Sequence, residues 1–214
     1  RLANPEHLID IACIAGLSGV SEDGDMIVIG ALTTHREVAE NELIKQHAPV
    51  LGQIAHTIGD RQVRNRGTIG GAIAHADPAA DYPAGIVALD AELVSVGPDG
   101  EHVTPASDFF VSIFTTALSP DEVLTAIRVP KAAAKTGMAY EKLPNQASGY
   151  AMVGVAAIVT LDTAGKASLV KIGVTGVADR AFRAEAAEAA LKDSEPDEKT
   201  HDLVGHIAAI RAML

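Results

Sequence analysis

The residues best suited to hold a charged ligand lie in the glycine-rich segment 63–83, VRNRGTIGGAIAHADPAADYP. Gly67, Gly70 and Gly71 stand within five positions, and backbone without a Cβ can approach a ligand closely or adopt positive φ. The Thr68 hydroxyl and successive backbone N–H groups would then form a nest for an anion such as a phosphate. Since the spacing matches neither the dinucleotide fingerprint nor the P-loop, the motif by itself predicts an anionic small-molecule site and no particular cofactor.

Each of these residues also has a purely structural explanation. A glycine cluster of this kind is equally compatible with a structural turn. Asp77 and Pro78 have the pattern of an N-cap followed by a first-turn proline, and they predict a helix that runs to about Ala91. On this interpretation His75 is a packed side chain and Asp81 is a surface carboxylate.

Composition excludes several classes of function. The 214 residues carry a formal net charge of −11 without a clustered run of Lys or Arg, which argues against a nucleic-acid partner. No apolar stretch reaches the roughly 18 residues that a membrane-spanning helix needs. The one cysteine, Cys13, lies in an apolar run and predicts a buried, inert thiol. Neither a disulfide nor a cysteine-bound cluster can form within the chain, so any iron–sulfur chemistry would come from a partner.

Short apolar runs predict the strands of the first part of the chain. They are HLIDIACI, DMIVIGAL, AELVSVG, EHVTPA and DEVLTAIRVP. The first two are separated by the polar stretch SEDGD, and the third and fourth flank Pro98-Asp99-Gly100, a hairpin turn sequence.

Two helices are predicted between these strands. Thr34 and Glu37 have the spacing of a capping box and predict a helix that runs through His47. Pro49 opens a second helix with an apolar stripe, which Gly59 would end.

The pattern changes after residues 131–137, KAAAKTG, which we interpret as a linker. Two alanine-rich helices are predicted near the end, at about 180–192 and 201–214. They are preceded by three strands, MAYEKL, YAMVGVAAIVTLD and ASLVKIGVTGVA. Strands followed by helices predict an α+β fold, with domains at 1–131 and 137–214.

The longer string RNRGTIGGAIAHADPAADYPA strongly resembles the second flavin motif of the medium, FAD-binding subunit of molybdenum hydroxylases. This family includes aerobic carbon monoxide dehydrogenase and bacterial enzymes of the xanthine dehydrogenase type. Further landmarks in the family's order are RLANPEHLIDI, VIGALTTHREVA, DFFVSIFTTALSPDEVLTAIRVP and AYEKLPNQASGYAMVGVAA. The resemblance covers essentially the whole chain. It implies a FAD-binding domain of the vanillyl-alcohol-oxidase type, followed by a small C-terminal domain of three antiparallel strands with helices.

The resemblance also implies where the cofactor binds. Backbone amides of the glycine-rich turn would contact the FAD pyrophosphate at Thr68, Ile69, Gly70 and Gly71. Ala72 departs from the family's pattern, because relatives often carry a small polar residue there.

Four side chains complete the implied site. His75 would lie near the cofactor, Asp81 would meet the polar tail of the flavin, and Leu124 and Lys142 would approach the flavin ring. Without the resemblance, Leu124 is an ordinary core residue and Lys142 an exposed lysine on a strand.

Relatives begin with a βαβ segment that carries a first glycine-rich motif, just before the position of Arg1. We therefore expect an N-terminally truncated chain that holds part of a FAD site. The function implied is an electron relay from two-iron two-sulfur clusters to quinone, NAD or oxygen. The alternatives are an assembly subunit that has lost its flavin and a stand-alone FAD-linked oxidoreductase.

The resemblance implies partners as well. A small subunit would carry the clusters, a large subunit would hold the molybdenum-pterin cofactor and choose the substrate, and the assembly would be a dimer of heterotrimers in the cytoplasm. No catalytic acid, base or nucleophile is predicted in this chain.

Overall fold

The computed structural model describes residues 6–195 and builds the first domain around one antiparallel sheet. Its strands are β1 (Val20–Asp23), β2 (Met26–Gly30), β3 (Glu92–Gly97), β4 (Gly100–Pro105) and β7 (Val123–Pro130). Their order across the sheet is β1-β2-β7-β3-β4. The short strands β5 (Phe110–Ser112) and β6 (Thr115–Thr116) form a separate hairpin.

Seven short helices belong to the described part of this domain. They are α1 (His35–Glu40), α2 (Glu42–His47), α3 (Pro49–Thr57), α4 (Arg61–Arg64), α5 (Ile69–His75), α6 (Tyr82–Ala88) and α7 (Ala106–Phe109). The core between helices and sheet is aliphatic, with Ile29 and Ile127 of the sheet and Leu51 and Ile54 of α3 fully buried. Within residues 6–195, no helix is long and apolar enough to cross a membrane.

The second domain is a four-stranded antiparallel sheet with one described helix. Its elements are β8 (Thr136–Pro144), β9 (Ala151–Leu161), β10 (Ala167–Thr175), β11 (Phe182–Arg183) and α8 (Glu185–Leu191). The order is β11-β10-β9-β8, so a two-residue strand extends the three predicted strands at one edge. The helix predicted at 201–214 lies outside the described residues.

Most predicted strands are confirmed. Those of DMIVIGAL, AELVSVG, EHVTPA and DEVLTAIRVP correspond to β2, β3, β4 and β7, and the hairpin turn pairs Gly97 with Gly100. The capping box at Thr34 and Glu37 begins α1, with both of its hydrogen bonds present.

The helix predicted to run through His47 is divided in two. The Asn41 side chain accepts hydrogen bonds from the N–H groups of Leu43 and Ile44, so it caps a new helix at the point where α1 ends. An asparagine that bonds to nearby backbone competes with helix continuation, and this explains the break.

The helix predicted from Asp77 starts later. The Asp77 carboxylate accepts the N–H of Ala79 at 2.9 Å in a local turn, and the helix begins at Tyr82 with Asp81 at its N-cap. The segment 77–81 is therefore a connection between α5 and α6 whose backbone is free to bond elsewhere.

The apolar stretch HLIDIACI is not a strand. Leu8 and Ile9 are exposed, and the antiparallel partner that precedes β2 in the chain is β1, Val20–Asp23, rather than this stretch. The Cys13 side chain is exposed as well, so the prediction of a buried thiol is wrong.

Close packing of small residues joins the two domains. A Cβ at Gly173 of β10 would overlap the carbonyl group of Ala84 in α6. Beside this contact, the Asp90 carboxylate lies 2.6 Å from the Lys171 ammonium and 2.5 Å from the Arg183 guanidinium of the second domain. The backbone of α6 thus lies directly on the second sheet, and ion pairs flank the contact.

The substitution Gly173→Ala tests this docking. Because the new methyl group meets backbone that cannot rotate away, we expect the free energy of unfolding to fall by about 3 kcal/mol. The melting temperature should fall by about 6–12 °C. Gly137→Ala in β8 is the matched control, since a Cβ there meets nothing within 4 Å. Equal melting temperatures for the two variants would contradict the close approach.

His35, the first residue of α1, is buried at the junction of three segments. Its Nδ1 lies 3.3 Å from the Tyr82 hydroxyl, and its Nε2 lies 2.6 Å from where a Cβ at Gly67 would stand. Burial, and secondarily the positive charge of Arg64, lower the pKa of His35 from 6.5 to about 4. The imidazole is therefore neutral near pH 7.

A lowered histidine pKa makes the fold sensitive to acid. Below about pH 6.5 the unfolded chain binds a proton at this position and the folded chain does not, so stability is lost as the pH falls from about 6.5 to about 4. Urea unfolding at about pH 7 and about pH 5 should show a smaller decrease for His35→Gln than for the unaltered chain. The same decrease in both proteins would contradict this assignment.

Candidate functional site

A cavity of about 310 Å³ opens between α5, the start of α6 and the turn that joins β8 to β9. Three residues predicted from the sequence, His75, Asp81 and Lys142, line it together. The rest of its polar lining includes His35, Asp77, Tyr82, Ser148 and Tyr150. The tertiary structure thus brings together side chains that are far apart in the sequence.

A buried ion pair forms one wall of this cavity. The Lys142 ammonium lies 3.0 Å from both carboxylate oxygens of Asp81, and the two side chains are only 8% and 7% exposed. The Tyr140 hydroxyl donates a third contact to Asp81 at 2.6 Å. The interpretations of Asp81 as a surface carboxylate and of Lys142 as an exposed strand lysine are therefore wrong.

His75 lies at the rim of the cavity. Its exposed ring packs against Phe114 at the tip of the β5–β6 hairpin, with ring centroids 5.0 Å apart. The Phe114 N–H donates to the Ala76 carbonyl at 3.1 Å, which fixes the hairpin beside α5. His75 is thus both packed and accessible from the cavity.

Three amides of the glycine-rich turn are already used within the protein, two of them by backbone carbonyls and that of Gly71 by the Thr68 side chain. The Ile69 N–H donates to the Thr33 carbonyl at 3.0 Å, and the Gly70 N–H donates to the Ala31 carbonyl at 2.8 Å. Both Ile69 and Gly70 are buried. The nest of successive free amides predicted from the sequence is not formed, because the Ile69 and Gly70 amides are hydrogen-bonded to the segment that follows β2.

The other two positions of the turn are more accessible. Thr68 is half-buried and caps α5, its Oγ1 accepting the Gly71 N–H at 3.1 Å, and Gly71 is exposed. None of Gly67, Gly70 and Gly71 has positive φ. The first two are glycines because His35 and the backbone of Ala31 leave no space for a Cβ.

Leu124 lies apart from the cavity. It is buried in β7, where it pairs with Ser95 of β3 and belongs to the aliphatic core. The surroundings of Leu124 are those of an ordinary core residue, and its contact with the flavin ring stays a prediction.

The sequence reasoning missed Tyr140 and His35. One signal for Tyr140 was present, because it stands two residues before Lys142 in a strand and alternate strand residues share a face. No local signal marks His35, whose burial depends on the approach of α6 and of the glycine-rich turn.

Comparisons with known proteins identify both parts of the chain. Residues 1–132 match the family described as the FAD binding domain in molybdopterin dehydrogenase. Residues 138–211 match the CO dehydrogenase flavoprotein C-terminal domain.

Individual relatives agree with these matches. The chain is 42% identical over 191 residues to the carbon monoxide dehydrogenase medium chain of Hydrogenophaga pseudoflava, covering 89% of this chain and 66% of that one. It is 38% identical to the 6-hydroxypseudooxynicotine dehydrogenase complex subunit alpha of Paenarthrobacter nicotinovorans, over 91% of this chain and 66% of the relative. The chain therefore spans about two thirds of the length of these curated relatives.

Solved structures match across both domains. A structure of carbon monoxide dehydrogenase from Hydrogenophaga pseudoflava superimposes with a TM-score of 0.92 at 42% identity, covering 98% of this chain and 73% of that one. Quinoline 2-oxidoreductase from Pseudomonas putida 86 superimposes with a TM-score of 0.90 at 27% identity, covering 97% and 72%. The predicted α+β fold, with a FAD-binding domain and a small C-terminal domain, is confirmed. The chain belongs to the family of FAD-binding medium subunits of the molybdenum hydroxylases.

Proposed function

We propose that the chain is the flavin-carrying part of a molybdenum hydroxylase and relays electrons from iron–sulfur clusters of a partner subunit to an external acceptor. The observation that carries this proposal is the cavity that joins Asp81 and Lys142 in a chain of this family. FAD, when bound, supplies the electron transfer, and the protein supplies binding, orientation and electrostatics.

The groups around the cavity fit the chemistry of a flavin dinucleotide. Asp77 and Asp81 present carboxylate oxygens that can accept hydrogen bonds from the hydroxyl groups of a ribityl or ribose chain. Lys142 can donate to anionic oxygen atoms in the cavity. Thr68 and Gly71 do not line the cavity, but they precede Ala72, which does, and the exposed backbone of Gly71 gives a large ligand space to approach beside it. Donors and acceptors thus occur together, as a cofactor with both hydroxyl and phosphate groups requires.

Lys142 is the residue we assign to the flavin ring. Its ammonium is buried, fixed by Asp81 and able to stabilise negative charge on the ring without reorganisation. The Asp81 carboxylate largely compensates the positive charge of Lys142, so the ion pair can lie next to either an uncharged or an anionic flavin ring. A free lysine at this position would be mobile and hydrated, and it would orient nothing.

The partners follow from the same assignment. The sequence has one cysteine, and residues 6–195 contain no group of His, Cys, Asp or Glu suited to a metal ion, so we assign the clusters to another subunit. We assign an iron–sulfur small subunit and a molybdopterin-binding large subunit as partners, in a cytoplasmic dimer of heterotrimers. The relatives named as a medium chain and as a complex subunit support the multi-subunit part of this proposal.

Gly71→Val tests the cofactor site. The added Cβ would lie 2.9 Å from the Thr68 Oγ1, which must shift, and the branches would occupy the exposed face of α5 and block the approach of the cofactor. Loss of one hydrogen bond to a charged group corresponds to at least about a tenfold increase in the FAD dissociation constant. The measurement is the quenching of FAD fluorescence as the unaltered or the substituted protein is added. Acid treatment of the purified protein should also release a non-covalently bound yellow flavin.

The matched control is Ala189→Val, which adds the same branched side chain at an exposed position of α8. Gly70→Val is unsuitable, because its side chain would overlap the backbone of Ala31 and disturb the fold. Unaltered FAD affinity in Gly71→Val would contradict the site. A protein that stays colourless after reconstitution with FAD would support the flavin-free assembly subunit instead.

Copurification tests the relay. This chain is tagged, coexpressed with the small and large subunits encoded by neighbouring genes, and purified through the tag. The purified complex should show iron–sulfur absorbance and contain molybdenum. The separated flavin subunit should be reduced by dithionite and should not oxidise small organic substrates. Turnover of such substrates by the chain without partners would favour a stand-alone oxidoreductase.

A further inference from the structure

The side chains that hold Asp81 come from the other domain. Asp81 precedes α6 in the first domain, whereas Tyr140 and Lys142 stand on one face of β8 in the second. The Tyr140 hydroxyl donates to Oδ1 at 2.6 Å, and Lys142 contacts both carboxylate oxygens. Lys142 lines the cavity and Tyr140 does not, so the tyrosine reaches the site through the carboxylate.

Tyr140 has little freedom to move. Its hydroxyl lies over Gly154 of β9, where any Cβ would overlap it, and the Thr175 methyl group lies 2.8 Å from the same point. Its backbone N–H donates to the Gln53 side chain of α3 at 2.9 Å. Burial, and then the charge of Asp81, raise the pKa of Tyr140, so the phenol keeps the proton that it donates.

The backbone leading to Asp81 is fixed separately. The Thr175 hydroxyl lies 2.8 Å and 2.9 Å from the carbonyl oxygens of Pro78 and Ala80, and Ala151 donates its N–H to the carbonyl of Ala79 at 3.2 Å. These bonds fix the main chain before Asp81, but they do not restrict the rotation of the Asp81 carboxylate, which depends on the groups that the carboxylate itself contacts. Those groups are Tyr140 and Lys142.

We propose that Tyr140 is a positioning residue of the cofactor site, which holds the Asp81 carboxylate so that Lys142 remains directed to the cavity. This inference rests on the proposed FAD function. Without the tyrosine contact the Asp81 carboxylate is free to rotate, and Lys142 is then the only side chain among the described residues that compensates its negative charge. Lys142 would be drawn towards Asp81 and would be a poorer donor to the ligand.

The test is a double-mutant cycle on FAD affinity. Tyr140→Phe removes only the hydroxyl and should raise the FAD dissociation constant roughly tenfold in the encoded protein. In an Asp81→Asn background the same substitution should change affinity by less than about twofold, since the tyrosine acts through the carboxylate. Thr136→Val, which removes another hydroxyl from β8 and its contact with Thr160, should leave affinity unchanged in both backgrounds.

A second variant reaches the same hydroxyl by another route. Gly154→Ala should displace it and weaken FAD, which keeps the inference testable if Tyr140→Phe does not fold. Because the new Cβ also meets the Thr175 methyl group, the variant supports the inference only if its effect falls below about twofold in the Asp81→Asn background. Equal weakening by Tyr140→Phe in both backgrounds indicates a structural role and overturns the inference. The inference is also overturned if the unaltered protein binds FAD and the Tyr140→Phe single variant binds it with the same affinity. Failure of the unaltered protein to bind FAD would overturn the proposed function, and this inference with it.

Discussion

The segment 77–81 is held between the two domains by its carbonyl groups, and the geometry of the cavity depends on this attachment. Three successive carbonyls, those of residues 78–80, accept hydrogen bonds from β9, β10 and the residue that follows β10. Each such bond contributes about 1 kcal/mol, but an unsatisfied buried carbonyl would cost more, so the segment has few alternative paths. It leads directly into Asp81, and the fixed backbone therefore fixes where the ion pair can form.

The attachment requires an unusually close approach between the domains. Gly173 of β10 leaves the space that the Ala84 carbonyl of the first domain fills. Within the second sheet, Gly154 leaves the space for the Tyr140 hydroxyl, which reaches Asp81 of the first domain. The chain is 3% aromatic, so most of its core consists of aliphatic residues, and the few buried tyrosines have specific polar partners. Small residues decide the docking, and the tyrosines decide the polar geometry.

The ion pair between Asp81 and Lys142 is a costly feature for a protein interior. Desolvation of two charges commonly exceeds their mutual attraction, so such a pair is weak evidence for a role in stability. Here a third group satisfies the carboxylate, and the pair lies on a cavity wall with His35, whose imidazole stays neutral near pH 7. These features are better explained by binding than by folding, and they agree with the family to which the chain belongs.

The sequence by itself determined the local elements and the family. Alternation and turn residues predicted the strands β2, β3, β4 and β7, because these signals act over a few neighbouring residues. Local reasoning failed for HLIDIACI, since a strand forms only where its residues pair with a neighbouring strand, and the segment that pairs with β2 on that side is β1. It also treated three glycines as a ligand-binding turn, whereas Gly67 and Gly70 are required by packing against His35 and Ala31. Only the tertiary structure decided that Asp81, Tyr140 and Lys142 meet. Asp81 is 59 residues from Tyr140 and 61 from Lys142 along the chain, so their contact depends on how the two domains dock.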